Sequence, residues 1–497
     1  MRPDESTHPV PAISLVIDNI DTKIAGALSD AILDKISDAL SYKTSIYNGA
    51  KFIEVENKMF LRKPRTFPTG LCSNVAKIFD DNGVDFDIID RRKITHRKEP
   101  ITLLANLRDY QQTIVDEAIK NQRFIVQVAT GGGKTVIASG IIARLNVKTL
   151  FMVHTGDLFK QAHDELSKFL GVPIGRIGGG YCEIRDINVC MIQTLHAVMG
   201  KEYVPFDEIE KDSPYDTSED DSSKFNQIRM LLEQAECVLV DECHHISSDS
   251  YVNIMRACRN SFYKGGLSAT PLRGDGRDMV LKAYAGSMIG KISASYLISK
   301  GWLIKPKIYY LQGTSNSKYK LEKKKYNGIY KKYITESVYR NTKIVDCTVR
   351  LTEMKMKVLI TVATKKHGFH LLRMIQERLP DVKSEFIHGS VKRDERSSFL
   401  DRMRAGDLDV LIGTSLADEG LDIPILNALI LAGGGKSATR MIQRVGRVLR
   451  KDPKGLKTEA IVIDFKDNVR YLLGHYKQRR EILESEPEFE IIEAYDA

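Results

Sequence analysis

The sequence lacks paired cysteines. Its seven cysteines stand singly and no two are separated by only two residues, so neither a zinc ribbon nor a redox dithiol is indicated. Isolated thiols in a chain of this length are typical of a reducing cytosol. They are Cys72, Cys182, Cys190, Cys237, Cys243, Cys258 and Cys347.

Long apolar runs are also lacking. No stretch approaches the roughly 20 apolar residues that a membrane-spanning helix needs. The first eleven residues show no basic start followed by an apolar core, so no secretion signal is indicated. We therefore expect a cytoplasmic protein without a membrane partner.

The sequence lacks a strong excess of charge of either sign. The 74 Lys and Arg against 65 Asp and Glu leave a net charge of +9. This surplus is compatible with binding a phosphate backbone, but charge that serves only solubility explains it equally well. At roughly 150 residues per domain, the chain has room for about three domains.

The pattern of apolar residues predicts an α/β fold. From Phe124 onwards, short apolar runs alternate with helical patterns, which indicates parallel strands covered on both faces in doubly wound sheets. The runs form two sets, in residues 105–303 and 304–497. The predicted strands are Phe124–Val128, Thr149–Val153, Val189–Ile192, Cys237–Val240, Gly265–Ser268, Val358–Val362, Val410–Ile412 and Ala428–Leu431.

Residues 1–104 form a different, mixed pattern. Helical spacing covers Ile24–Ala39 and Leu71–Phe79, whereas Ser45–Val55, Met59–Arg62 and Phe86–Ile89 have the pattern of extended segments. We expect a small α+β accessory domain that binds DNA, and the basic stretch ending at Pro100 indicates a linker.

Two segments interrupt the second pattern. Residues 201–224 are rich in Asp, Glu and Ser, which favours a solvated loop over a site. Residues 318–333 mix lysines with tyrosines. They fit either a segment that grips phosphates and stacks on bases or a solvated amphipathic helix.

The segment Ala129–Thr135 predicts a phosphate-binding loop. Three glycines allow backbone N–H groups to turn towards phosphate oxygens, and the helix that begins there adds the positive end of its dipole. Lys134 would reach the β- and γ-phosphates of ATP, and the Thr135 hydroxyl would bind Mg²⁺. The usual pattern has glycine where Val128 stands, so the loop is a variant. Thr130, Gly131, Gly132 and Gly133 complete it.

An acidic pair follows the predicted strand Cys237–Val240. A carboxylate at the end of a parallel strand lies where such sheets bind ligands. Mg²⁺ would hold Asp241, and Glu242 would orient and deprotonate the attacking water. An acidic pair after a strand is often only a surface turn, but a preceding phosphate loop favours the catalytic interpretation.

The ordered set of segments resembles the superfamily 2 helicases over residues 105–465. This resemblance implies two tandem RecA-like lobes with ATP and Mg²⁺ as cofactors. It also implies that Arg108 and Gln111 contact adenine and that Leu267–Pro271 couples hydrolysis to movement. In the second lobe, Ile412–Pro424 would contact both the nucleotide and the nucleic-acid strand, with Gly420 and Asp422 as nucleotide-binding residues. The segment Gln443–Arg450 resembles the arginine-finger helix, with Gln443, Arg447 and Arg450 as catalytic residues.

The chemistry of the two arginines also supports a role in phosphate binding, independently of the resemblance. Guanidinium groups stay charged and form forked hydrogen bonds with phosphate oxygens. Arg447 and Arg450 are three residues apart, so one face of a helix would present both. On a different lobe from Lys134, they would complete the γ-phosphate site only on closure, which predicts a motor rather than a static ATPase.

The resemblance further implies a track for the nucleic-acid strand. On the first lobe it would comprise His154, Thr155, Gly179, Gln193 and Thr194. On the second lobe it would comprise Lys365, His388 and Thr414. Glycines and small hydroxyls suit contact with the phosphate backbone, which carries no sequence information. Each segment could equally be an ordinary loop between a strand and a helix.

Further features are similar to the branch that contains XPB and, more closely, to phage recombination helicases of the UvsW type. They are the DECH sequence at Asp241–His244, the segment Gly266–Pro271 with Arg273 and Asp275, and the stretches Phe67–Leu71 and Asp90–Arg92. This resemblance implies forked and branched DNA as partner, remodelled by unwinding, annealing or branch migration, with RNA–DNA hybrids as further substrates. We expect a monomer in the cytoplasm, which would be the host cytoplasm if the protein is viral.

Three alternatives remain open. An RNA helicase would use the same motor. A nuclease-coupled translocase is suggested by Glu54–Lys58, although a strand of alternating charged and apolar residues also explains that stretch. A binding protein with an inactive motor is opposed by the intact Lys134, Asp241, Glu242, Arg447 and Arg450.

Overall fold

The computed structural model describes residues 13–47, 51–92, 98–199, 219–247, 249–272, 276–315, 320–322, 325–414, 423–435, 438–452, 455 and 457–493. These residues fall into two compact units. The first contains the described residues up to Gln127 and those from Lys134 to Lys291. The second contains Val128–Gly133 and the described residues from Ile292 onwards.

The first unit begins with a small α+β part. Its elements are β1 (Ser14–Ile17), β2 (Asp21–Ala25), α1 (Asp30–Ala39), β3 (Ser41–Tyr47), β4 (Phe52–Lys58), β5 (Thr66–Pro68), α2 (Cys72–Asp81) and β6 (Asp87–Asp90). The sheet order is β5-β2-β1-β6, and β3 and β4 form a separate hairpin. Side chains of both helices, including Ile36 and Phe79, are buried in one core with Leu15 and Ile24. The predicted α+β character of this part is confirmed.

The predicted helix Ile24–Ala39 starts too early. Ile24 and Ala25 belong to β2, and the helix begins only after Ser29, whose hydroxyl accepts a hydrogen bond from Ile32 N at 3.4 Å. Gly26 between them has a φ of 97°, a conformation that glycine adopts without strain and that ends the strand. The N-cap serine therefore sets the start of the helix.

The rest of the first unit is built on an eight-stranded sheet in the order β10-β9-β11-β8-β12-β13-β7-β14. The strands are β7 (Arg123–Val128), β8 (Thr149–Val153), β9 (Ile174–Gly178), β10 (Tyr181–Glu183), β11 (Ile187–Met191), β12 (Cys237–Asp241), β13 (Tyr263–Ser268) and β14 (Ser287–Ile292). The six strands from β9 to β7 in this order run parallel. Every residue of β8, β11 and β12 is buried, as expected for strands covered on both faces.

Within the described residues, seven α-helices accompany this sheet. They are α3 (Asp109–Asn121), α4 (Lys134–Leu145), α5 (Gly156–Leu170), α6 (Ile192–Val198), α7 (Glu219–Gln234), α8 (Asp249–Ala257) and α9 (Asp278–Ala285). The prediction of a loop over residues 201–224 is wrong at the end of this acidic segment, because α7 begins at Glu219. Residues 201–218 lie outside the described residues.

The second unit contains a seven-stranded sheet in the order β17-β18-β16-β19-β20-β15-β21. Its strands are β15 (Pro306–Gln312), β16 (Val358–Thr361), β17 (Ser384–Ile387), β18 (Val410–Gly413), β19 (Ala428–Ile430), β20 (Ala460–Lys466) and β21 (Glu490–Glu493). All neighbouring strands pair in parallel. With the sheet of the first unit, this confirms the predicted pair of RecA-like lobes.

The helices of the second unit are α10 (Ala294–Ser299), α11 (Tyr326–Tyr330), α12 (Val338–Glu353), α13 (Lys365–Arg378), α14 (Arg393–Ala405), α15 (Ala438–Val448) and α16 (Leu472–Glu484). A π-helical turn, Lys331–Thr335, continues α11. Among the described residues, no helix is long and apolar enough to cross a membrane.

The described part of the lysine- and tyrosine-rich segment packs onto its own unit. Tyr326, Tyr330 and Tyr333 contact a small apolar core that contains Ile329 and Ile334. The Tyr330 hydroxyl donates a hydrogen bond to Gly433 O at 2.6 Å. These contacts favour the helical interpretation of the segment over base stacking, because the ring of Tyr330 is already engaged.

A buried ion pair stabilises the second unit. Arg340 and Asp467 are 0% and 2% exposed, and Arg340 Nη1 donates to Asp467 Oδ1 at 2.6 Å. Removing one partner of a buried pair leaves an uncompensated charge and costs about 3–5 kcal/mol. We expect Asp467→Ala to lower the free energy of unfolding by this amount, measured by guanidinium unfolding followed through the fluorescence of Trp302.

The matched control is Asp401→Ala, which removes an exposed ion pair with Arg404. Surface pairs contribute about 0–1 kcal/mol, so its unfolding curve should nearly overlay that of the wild type. Equal losses in the two variants would contradict a special role for the buried pair.

Candidate functional site

The phosphate loop lies between β7 and α4. Gly131 and Gly133 have φ values of 85° and 78°, in the left-handed region that glycine adopts without strain. A β-carbon at Gly132 would collide with the Val128 side chain. The loop therefore needs its three glycines, which place no side chain over a backbone that could cradle phosphate. The Gly132 N–H donates to Ala129 O at 2.9 Å within the loop.

Lys134 opens α4 and reaches the acidic pair. Its Nζ lies 3.1 Å from Glu242 Oε1, and both side chains are largely buried. Glu242 has a φ of 48°, an uncommon conformation for a non-glycine residue. Its backbone N–H donates to Asp241 Oδ1 at 3.0 Å. The end of β12 thus turns sharply and presents both carboxylates beside the lysine.

The two carboxyl groups differ in acidity. Burial and the neighbouring Glu242 charge raise the pKa of Asp241 to about 6. Burial also acts to raise the pKa of Glu242, but the charges of Lys134 and His244 outweigh it and hold that pKa at about 2. Two carboxylates beside one lysine carry more negative than positive charge. A divalent cation would balance this excess.

Ser268 and His244 hold Glu242 in place. Ser268 Oγ donates to Glu242 Oε2 at 2.9 Å and lies 3.2 Å from His244 Nδ1. Thr270 N in turn donates to Ser268 Oγ at 3.1 Å. These bonds connect the end of β13 to the acidic pair on the neighbouring strand β12. Ser268 and His244 were recognised as parts of sequence motifs. Their contacts with Glu242 could not be predicted, because these contacts depend on the order of the strands.

The arginine segment lies beside the phosphate loop within the second unit. A β-carbon at Gly131 would lie 3.4 Å from Arg450 Cγ, and one at Gly446 would lie 2.5 Å from Thr130 Cβ. Arg447 is 6% exposed. The residues predicted to serve one phosphate group are therefore neighbours.

The prediction that one helical face presents both arginines is wrong. Helix α15 ends at Val448, so Arg450 lies beyond it, and Arg450 pairs with Leu303 in an antiparallel bridge. The bridge fixes the backbone of Arg450, and Gly446 allows α15 to approach the loop closely. Gln443 lies on the same helix and is 4% exposed.

The predicted adenine-binding residues begin α3. Gln111 Oε1 accepts a hydrogen bond from Arg108 N at 2.9 Å, which caps the helix. Arg108 Nη1 and Gln111 Nε2 lie 3.4 and 3.3 Å from the Tyr110 hydroxyl. Capping alone explains why glutamine stands here, and base recognition by Arg108 and Gln111 stays a prediction.

The predicted track residues of the first unit lie at one edge of its sheet. They follow the carboxyl ends of the adjacent strands β8, β11 and β9. Gln193 Nε2 donates to His154 O at 2.7 Å, which ties two of these segments together. Gly179 has a φ of 59°, and Thr155 caps α5 by accepting from Leu158 N at 3.3 Å. Thr194 lies against Gly178, next to Gly179.

The second unit repeats this arrangement. Lys365, His388 and Thr414 follow the carboxyl ends of the adjacent strands β16, β17 and β18. Lys365 Nζ donates to Ser390 Oγ, and Thr414 N donates to Ile387 O at 3.2 Å. Each unit therefore gathers its predicted track residues at the carboxyl edge of its sheet. Gly420 and Asp422 lie outside the described residues, as do Arg273 and Asp275.

Several aromatic residues near the predicted track residues of the two units were not predicted from the sequence. The His245 ring lies 4.1 Å from the His154 ring and 4.2 Å from the His244 ring, measured between centroids. Phe369 packs against His388 with centroids 5.1 Å apart. The adjacent histidines at 244 and 245 were a visible signal, whereas nothing in the sequence marks Phe369.

Two protein-family models match the chain. Residues 104–273 match the res subunit of type III restriction enzymes, and residues 340–452 match the helicase conserved C-terminal domain. These segments contain the phosphate loop, the acidic pair and the arginines. The two models thus cover predicted ATP-site residues in both units.

Individual proteins are similar over most of the chain. The DNA 3'-5' translocase XPB2 of Sulfurisphaera tokodaii is 28% identical over 82% of this chain and 92% of its own length. The ATP-dependent DNA helicase uvsW of phage T4 is 25% identical over 81% and 80%. A fragment of a putative HsdR subunit of a type I restriction enzyme from Vibrio vulnificus has the same fold, with a TM-score of 0.55, 18% identity, and coverage of 97% and 85%.

The order of motifs, the two largely parallel sheets and the two family matches agree. The chain belongs to the superfamily 2 helicases, which are ATP-driven motors.

Proposed function

We propose that this protein is an ATP-dependent DNA helicase or translocase that remodels forked and branched DNA. One observation within each unit carries the proposal. In the first unit, Lys134 Nζ lies 3.1 Å from Glu242 Oε1, and in the second unit, Arg450 packs beside Gly131 of the phosphate loop. This set combines a phosphate cradle, a general base and a guanidinium group. It is suited to hydrolysis rather than to nucleotide binding alone.

Nucleotide binding uses residues from the start of the motor. Arg108 and Gln111 contact adenine, and the loop formed by Thr130, Gly131, Gly132 and Gly133 cradles the phosphate oxygens. Lys134 exchanges its Glu242 partner for the β- and γ-phosphates. The Thr135 hydroxyl and the Asp241 carboxylate would hold Mg²⁺, a cation that prefers oxygen ligands. Bound Mg–ATP supplies the phosphoryl group whose cleavage drives the motor.

Hydrolysis depends on a correctly placed base and on charge stabilisation. Glu242, ionised and held by Ser268, orients the attacking water and accepts its proton. Arg447 and Arg450 stabilise charge on the γ-phosphate oxygens, and Gln443 assists them. Gly420 and Asp422, which lie outside the described residues, stay predicted nucleotide-binding residues. His244 links this site to the Ser268–Thr270 segment, which couples hydrolysis to movement.

The strand binds at the carboxyl edges of the two sheets. His154, Thr155, Gly179, Gln193 and Thr194 serve the first unit; Lys365, His388 and Thr414 serve the second. Backbone N–H groups and small polar side chains contact phosphate and sugar without reading the sequence. A track of this kind suits a translocase, which must bind every position along its substrate.

DNA is proposed as substrate because two similar proteins carry DNA in their names, a translocase and a phage helicase. The mixed α+β part of residues 13–92 serves as an accessory DNA-binding domain. Of the alternatives, a nuclease is opposed by the pairing in the β3–β4 hairpin. There Glu54 and Glu56 lie 3.7 and 3.9 Å from Lys43 and Lys58, as expected for a charged strand surface.

The proposal predicts a ranking of substrates. Forked DNA and four-way junctions should stimulate ATP hydrolysis and be processed more strongly than single-stranded RNA, with R-loops as a further arm. The measurement is ATP turnover and strand separation on labelled substrates side by side. Lys134→Ala should abolish both activities, since the phosphate-binding lysine is gone.

The opposite ranking, with single-stranded RNA as the best activator, would overturn the DNA assignment and favour an RNA helicase. Metal-dependent nicking that disappears in Glu56→Ala would instead favour a nuclease-coupled translocase. Turnover in Lys134→Ala equal to that of the wild type would contradict the assigned ATP site.

A further inference from the structure

An aromatic side chain stands exposed at the edge of the second sheet. Phe369 lies on α13, one helical turn after Lys365, and is 52% exposed. Residues four apart share one face of a helix, so Phe369 and Lys365 lie on the same side. Single exposed apolar residues are common, so exposure alone says little about Phe369.

Phe369 belongs to a cluster of three aromatic rings. Its ring contacts the rings of Phe386 and His388, with centroids 5.1 Å apart in both cases and interplanar angles of 89° and 62°. Phe386 is 4% exposed and closes the triangle to His388 at 4.9 Å. A β-carbon at position 368 would collide with the Phe386 ring, so Gly368 allows this packing. The exposed ring is therefore packed against two other aromatic rings.

The neighbours of this ring cluster carry donors for phosphate. Lys365 Nζ donates to Ser390 Oγ, and Ser390 N donates to His388 Nδ1 at 3.2 Å. Burial and the charge of Lys365 lower the pKa of His388, which favours the neutral imidazole. An exposed aromatic ring beside a lysine is the combination that binds single-stranded nucleic acid, by stacking on a base and pairing with the backbone.

We propose that Phe369 stacks on an unpaired nucleobase of the DNA strand that contacts Lys365 and His388. This inference rests on the proposed function and extends it. The second unit would then hold the strand by a base as well as by its backbone. Stacking requires an exposed base face, so this contact distinguishes unpaired from paired nucleotides without reading their sequence.

The contact has a measurable consequence for binding. Loss of one stacked base weakens binding by about 5- to 150-fold, the range that corresponds to the stacking contributions found on alanine substitution. We expect Phe369→Ala to raise the Kd for a fluorescent single-stranded DNA oligonucleotide within this range. Phe369→Trp should restore wild-type affinity because it keeps an aromatic face, whereas Phe369→Leu should not.

An abasic scan identifies the stacked base directly. A single abasic site is moved along the oligonucleotide, and the Kd is measured at each position. The wild type should show one position where the missing base weakens binding most. Phe369→Ala should lose this dependence. Without the ring at position 369 no base is stacked there, so removing a base at that position costs no further affinity.

The matched control is Met354→Ala, which removes a 56% exposed apolar side chain of the same unit outside the track. Its Kd should equal that of the wild type. A second reporter is Phe369→Trp in a Trp302→Phe background, which places the one tryptophan of the chain at position 369. Its fluorescence should be quenched by single-stranded DNA and unaffected by blunt duplex.

Two kinds of failure are distinguishable. If the wild type does not bind DNA, the proposed function fails. If the wild type binds DNA but Phe369→Ala binds equally well, and an abasic site affects both proteins alike, the stacking inference fails while the helicase assignment stands. Restoration by Phe369→Leu would indicate apolar packing within the protein and would also overturn stacking.

Discussion

Replacing Glu242 with glutamine is expected to reduce ATP hydrolysis by about 100- to 10,000-fold, the contribution of a positioned general base. Glutamine has nearly the same shape and keeps an acceptor for the Ser268 hydroxyl, which donates to Glu242 at 2.9 Å. It cannot accept a proton. Because Lys134 and His244 hold the pKa of Glu242 at about 2, the wild-type carboxylate is fully ionised at neutral pH.

The measurement is single-turnover hydrolysis together with equilibrium binding of a fluorescent ATP analogue. Binding should be retained or tightened in Glu242→Gln, since Lys134 loses its carboxylate partner at 3.1 Å. Asp241→Asn provides the comparison, because loss of a metal ligand should weaken the Mg²⁺ dependence as well as the rate. Wild-type hydrolysis by Glu242→Gln would show that another group takes the proton.

Replacing Arg450 with alanine is expected to lower the rate of hydrolysis by about 1,000-fold or more, as removal of an arginine finger does. ATP affinity should change far less, because the effect concerns charge that develops in the transition state. Arg450 packs against Gly131 of the phosphate loop, and the bridge to Leu303 fixes its backbone. Arg450→Lys should rescue little, since a lysine lacks the forked donors of a guanidinium group.

The control is Lys451→Ala, which removes the adjacent exposed cation and should leave hydrolysis unchanged. Arg447→Ala should behave like Arg450→Ala if both arginines act at the γ-phosphate. Its thermal unfolding must be measured as well, because Arg447 is buried. Normal hydrolysis in both arginine variants would remove the arginine-finger assignment.

The central strands of both sheets could be predicted because burial on two faces leaves a plain apolar signature. β8 and β12, for example, are buried at every residue. Edge strands such as β14 have mixed exposure, and β9 contains two glycines, so neither produces a continuous apolar run. The start of α1 was missed because the helical spacing extended back into β2, and only the Ser29 cap shows where the helix begins.

The phosphate loop, the acidic pair and the arginines could be predicted because each depends on local chemistry at fixed spacing. Contacts across the sheet could not. Ser268 and Glu242 are 26 residues apart in sequence and meet only because β13 lies beside β12. Arg450 appeared to continue a helix, but its pairing with Leu303, a residue far away in sequence, ends that helix first.

The most direct measurement is a crystal structure with ADP, Mg²⁺, aluminium fluoride and forked DNA. The aluminium fluoride represents the phosphoryl group in transfer. We predict that Lys134 Nζ leaves Glu242 and that a guanidinium nitrogen of Arg447 or Arg450 lies within about 3.2 Å of a fluoride, hydrogen-bond distance. A fluoride bound by Lys134 alone, with both guanidinium groups turned away from it, would contradict the proposed motor.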